Sequence, residues 1–171
     1  MKRLKHLKGI GKTLLVASPT ISGSLPRLAL GGEIGRNGGR QCTVYFLVIS
    51  IWGLFLNTYL AFNNIDELAT MKSFSGSYIW WLFGGLAAGF GIATFPMITS
   101  VMFWSNKDNL GHNQALFGGF GNVTAGTFAL LMSVVLSYTN LETAYVLWLL
   151  LTVTGTFCVI RYLPNSPYHQ L

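Results

Sequence analysis

The stretch TVYFLVISIWGLFLNTYLAF, Thr43 to Phe62, contains no charged residue and has aromatic residues near both ends. A bilayer hydrocarbon core about 30 Å thick is crossed by about 20 apolar residues in a helix, and aromatic rings favour the two interfaces. On either side of this run the same reading repeats. No Asp, Glu, Lys or Arg occurs from Gln41 to Ile65, from Ser73 to Asn106 or from Asn109 to Leu141, and a shorter gap extends from Thr143 to Ile160. Of 171 residues, 51% are hydrophobic and 9% charged, against roughly 25% charged in a soluble domain. The expected fold is therefore all-α: a polytopic membrane bundle of four to five transmembrane helices, with the lipid bilayer as its surroundings.

The expected layout is a basic N-terminal tail over residues 1–12, a transmembrane bundle over 13–163, and a C-terminal tail over 164–171. The spans fall at about 43–62, 78–104, 114–138 and 143–163. A fifth, 13–32, stays open. TLLVASPTISGSLPRLALGG (Thr13 to Gly32) is long enough to cross, yet it holds Pro19, Pro26 and Arg27. An arginine at mid-helix costs about 2.5 to 3.5 kcal/mol on insertion scales. The basic start followed by TLLVAS is a poor secretory signal, because the apolar part is short, Pro19 interrupts it and no small-x-small cleavage site follows.

The net charge is +6 and the pI about 9.6, but its distribution points away from nucleic acid. Lys2, Arg3, Lys5, Lys8 and Lys12 lie in the tail, and the other basic residues flank apolar runs, as membrane-flanking charge does. The bias toward cytoplasmic Lys and Arg puts Arg36, Arg40, Lys107 and Arg161 inside, with Lys72 outside beside Asp66 and Glu67. If 13–32 crosses, the basic tail lies outside. If it does not, ten of the eleven basic residues are inside, so the charge rule favours four spans.

Two stretches crowd small residues: FGGLAAGFG (Phe83 to Gly91) and ALFGGFGNVTAG (Ala115 to Gly126). Gly85 and Gly89 stand four apart, as do Ala115 and Gly119, and each pair makes a flat helix face on which a neighbouring backbone can lie. Tight packing suffices for Gly84, Gly85 and Gly89. GGFGN is different, since three glycines in four residues weaken a helix by about 1 kcal/mol each relative to Ala. An anion or a partner helix must come close there. Asn122 is an amide inside an apolar run, suited to an interhelical hydrogen bond. Arg27 offers a planar fork of donors that matches a planar oxyanion, or else its segment lies outside the membrane.

No catalytic constellation is visible. His6, His112 and His169 are isolated, no carboxylate falls within an expected span, and Cys42 and Cys158 read as packing residues without a metal or disulfide role. The glycines of GEIGRNGGR lack the spacing of a phosphate loop. The expectation is no enzyme, no cofactor and no metal site.

Two motifs resemble the nitrate/nitrite porter family of the major facilitator superfamily. SPTISGSLPRLALGGEIGRNGGRQ (Ser18 to Gln41) is similar to that family's second helix and following loop. GHNQALFGGFGNVTAG (Gly111 to Gly126) is similar to its glycine-rich fifth helix, and LPNSPYHQL to the segment after the sixth. The resemblance implies that Arg27 binds substrate and that Gly118, Gly119, Gly121 and Asn122 form the substrate path, with nitrate or nitrite as the anion and the bacterial inner (plasma) membrane as the location. Gly35 stands where the loop usually has Asp, and Thr124 where the signature has a further Gly. Phe95 is out of register with the family's substrate-facing aromatic. The family has about twelve helices in two halves with the site between them. This chain corresponds to helices two to six, so the resemblance favours five spans and implies a truncated or half transporter, completed by a homodimer or a separately encoded second half. The other reading is a membrane subunit or remnant whose glycine faces only pack helices.

Overall fold

The computed structural model describes residues 10–29, 39–64, 66, 75–104 and 110–163, the side chains of 24–29, 39, 92–104, 110–118, 120–122 and 124–125 excepted. These residues form five α-helices and, among them, no strand: α1 (Ile10–Ala29), α2 (Gly39–Asn63), α3 (Gly76–Trp104), α4 (Leu110–Tyr138) and α5 (Leu141–Tyr162). Among the described residues two stretches, Arg40–Asn63 and Leu141–Tyr162, are long and apolar enough to cross a membrane.

Helix α1 runs through Pro19 without a break. Proline has no N–H, so the carbonyl four residues back loses its helical donor. Here that carbonyl belongs to Leu15, and the Ser18 hydroxyl donates to it at 2.9 Å. A side chain thus replaces the missing backbone donor. The described part of this helix runs to Ala29 and includes the backbone of Arg27.

Specific contacts fix the helix directions. The Tyr78 hydroxyl donates to the Gly11 carbonyl at 2.8 Å in a buried bond, while Ser18 lies against Gly85 and Ser22 against Gly89, so α1 and α3 run parallel. Asn57 lies against Gly84 and Ser50 against Gly91, which makes α2 antiparallel to both. The Arg40 guanidinium at the start of α2 donates to the Ile160 carbonyl at the end of α5, one of the terminal carbonyls that a helix leaves unpaired. The rings of Phe128 and Trp148 meet edge to face at 5.8 Å, and only Thr139 and Asn140 join α4 to α5. The bundle is therefore up and down, with α1, α3 and α5 pointing one way and α2 and α4 the other.

Among the described residues the interior mixes small polar residues with apolar ones, and large apolar side chains also cover the outside. Ser18, Ser22, Thr43, Ser50, Asn57 and Thr156 are buried, whereas Trp52, Phe55, Tyr59, Phe62, Trp80, Phe83, Leu150 and Phe157 are exposed. Small residues let helix backbones approach, and the α2–α3 interface shows the effect. A Cβ built on Gly53 would sit 2.4 Å from the Ala88 nitrogen, so the two backbones leave no space for one. The main apolar cluster, Leu60, Ala61, Tyr78 and Trp81 with Leu15, Leu141 and Tyr145 packed against it, ties α1, α2, α3 and α5 together at one end. Cys158 is exposed on α5, so within this chain it is not the packing residue expected.

Candidate functional site

The sequence-predicted site falls on two helices. Arg27 is in α1, and Gly118, Gly119, Gly121 and Asn122 are in α4. Gly118 to Asn122 are the ninth to thirteenth of the 29 described residues of α4, and no described contact links them to Arg27. The side chain of Arg27 and the surroundings of Gly118, Gly121 and Asn122 lie outside the described residues. Gly119 is described: it is exposed, and a Cβ built on it meets nothing within 4 Å. Gly126, about two turns further on, is equally open.

The glycines of α3 behave in the opposite way. A Cβ at Gly85 would lie 2.3 Å from the Ser18 hydroxyl, and one at Gly89 would lie 2.1 Å from both the Pro19 carbonyl oxygen and the Ser22 hydroxyl. Gly84 is filled by the Asn57 amide and Gly91 by Ser50. These glycines are seats for a neighbouring helix. On α4 no described neighbour occupies the corresponding space, and Val123, Leu130, Val134, Leu136 and Tyr138 are exposed along it.

A second place was not visible in the sequence. A cavity of about 230 Å³ lies between α1, α2, α3 and α5, walled by Leu15, Val16 and Pro19 on one side and by Trp81, Tyr145 and Trp148 on another, with Asn57 also in its wall. Tyr145 stacks on Trp148 with ring centroids 6.4 Å apart and planes within 7°. Asn57 and Trp81 are each only 3% exposed, and neither Asn57 Oδ1 nor Trp81 Nε1 has a hydrogen-bond partner. Among the described residues no charged side chain lines this cavity. The sequence signal for it was Asn57, a lone amide in an apolar run like Asn122. The three rings have no spacing that would connect them before folding.

Among the described residues no group of three or more His, Cys, Asp or Glu comes together to hold a metal ion. Comparison with protein-family models, with curated proteins and with solved structures finds no match to this chain.

Proposed function

We propose that this chain is an integral membrane protein of five spans that forms one wall of a path for a small inorganic anion, nitrate or nitrite. The observation that carries the reading is the difference between the two glycine-rich faces. Those of α3 are filled by α1 and α2, while Gly119 and Gly126 on α4 stand open. Glycines that weaken a helix need a reason, and within this chain no described contact supplies one. A facing half would do so, whether a second copy or a separately encoded partner, with the anion between. Rocking of one half against the other then gives alternating access.

Support for the bilayer comes from the inverted surface. Many exposed tryptophan, phenylalanine and leucine side chains, over helix contacts seated on glycine and serine, are the arrangement that lipid rewards and water penalises. Helices α3 and α4 carry no charged residue over 29 residues each, and α1, at 20 residues, measures about 30 Å. In five spans of alternating direction, Arg40 and Arg161 share the cytoplasmic end and the tail before α1 lies outside. This runs against the charge rule but follows the seating of α1 on α3.

In this reading Arg27 clamps two anion oxygens with its planar fork, bare backbone at 118 to 121 allows close approach, and Asn122 donates a further hydrogen bond. The test is nitrate binding to the purified chain in lipid discs. Saturable binding that Arg27→Ala abolishes and Arg27→Lys weakens is expected, and binding indifferent to Arg27 removes it from the site. The second reading, a non-transporting subunit, is favoured by the filled faces at Gly84, Gly85 and Gly89, and it predicts no nitrate binding.

A further inference from the structure

We infer that the end of the bundle where α2 starts and α5 finishes is a seat for an anionic phospholipid, with its phosphate at Arg161 and Arg40 and one acyl chain along the outer face of α5. This rests on the reading of the chain as a membrane protein and is independent of the anion path.

Charge selects the head group. Arg161 is exposed in the last turn of α5, and Arg40, at the start of α2, reaches across to the carbonyl of Ile160, the residue before it. Two cations from different helices therefore belong to one end. Among the described residues the acidic ones, Asp66 and Glu142, belong to the other end, just after α2 and in the first turn of α5. The first turn of α2 holds no acid, so the positive end of its dipole adds to the same potential. Basic places between membrane helices are where anionic head groups settle. The Arg161 guanidinium carbon lies 5.9 Å from the centre of the Tyr162 ring, and tyrosine favours the level of the head groups.

The face below Arg161 separates a lipid from free phosphate. Leu150, Thr154, Phe157 and Arg161 follow one another at spacings of four, three and four, so they share one side of α5, and all are exposed. The Thr154 hydroxyl donates to the Leu150 carbonyl at 2.9 Å, so it needs no partner outside the helix. This strip rises about 16 Å from Leu150 to Arg161. Half of a hydrocarbon core about 30 Å thick is about 15 Å. An acyl chain of one leaflet thus covers the strip while its phosphate stands at the arginine, whereas free phosphate would leave the strip bare.

The test is native mass spectrometry of the full chain released from detergent, titrated with phosphatidylglycerol or with phosphatidylcholine of the same acyl chains. One arginine at the head-group level is worth about a fivefold preference for an anionic lipid, so the first phosphatidylglycerol should bind tighter than phosphatidylcholine by about that factor or more. Arg161→Gln should weaken phosphatidylglycerol about fivefold and leave phosphatidylcholine unchanged, and Arg161→Lys should keep most of the preference. The Arg161 side chain is exposed, so the fold should not depend on it. Equal affinity for the two lipids, phosphatidylglycerol binding that survives Arg161→Gln, or its displacement by inorganic phosphate overturns the seat. A chain that stays dispersed in buffer without detergent overturns the membrane reading itself, and the seat with it.

Discussion

The Ser50 hydroxyl donates a 2.7 Å hydrogen bond to the Ala88 carbonyl, buried between α2 and α3. It crosses the interface where Gly53, Gly84 and Gly91 bring the two backbones together. A bond of this kind between membrane helices contributes about 0.6 kcal/mol on average. Ser50→Ala should therefore lower stability by about that amount. Ser50→Leu should lower it by about 1–3 kcal/mol through overpacking against Gly91, and unfolding in a denaturing detergent series measures both.

The seat of α1 on α3 gives a sharper contrast. Gly89→Ala places a methyl group where the Pro19 carbonyl and the Ser22 hydroxyl already are, and backbone cannot swing aside. A loss of about 1–3 kcal/mol is expected, with protease sensitivity appearing first in α1. A Gly89→Ala variant as stable as the parent would mean that α1 does not rest there.

Gly119→Ala should act in the reverse sense. Its Cβ enters open space, and Ala is favoured over Gly in a helix by about 1 kcal/mol, so stability should stay level or rise. If Gly119 belongs to the anion path, nitrate binding should fall all the same. A stable variant that binds nitrate as the parent does would argue that Gly119 lies off the path.

The turn between α4 and α5 depends on Asn140, whose side chain accepts from the Thr143 backbone N–H at 3.0 Å and from the Thr143 hydroxyl at 2.6 Å. Asn140→Ala removes this N-cap and should cost about 1 kcal/mol, whereas Asn140→Asp should retain it. Thermal unfolding of the two variants distinguishes the cap from a general loss of polarity.

The helices were legible because the charge-free runs are long and apolar and polar stretches separate them. Thr43 to Phe62 falls inside Gly39–Asn63, and the expected 78–104 and 114–138 fall inside Gly76–Trp104 and Leu110–Tyr138. Spacing also indicated that Gly85 and Gly89 present a flat face. It did not indicate that Ser18, Pro19 and Ser22 fill it, since pairing between distant segments leaves no local mark. Pro19 read as an interruption, and the Ser18–Leu15 bond supplies the donor that this proline removes. The cavity was illegible for the same reason as the α1 seat. Asn57, Trp81 and Tyr145 come from three helices and meet only after those helices pack.

The claim on which the rest depends is that α1 crosses beside α3, so that its two ends lie on opposite faces of the membrane. Labelling with a membrane-impermeant maleimide tests this directly, using Lys5→Cys and Arg36→Cys in turn, with Cys42 and Cys158 replaced by alanine. Reaction of the first from outside intact cells, and of the second only after permeabilisation, is expected. Reaction of both from the same side would place α1 outside the bilayer and remove Arg27 from any path through it.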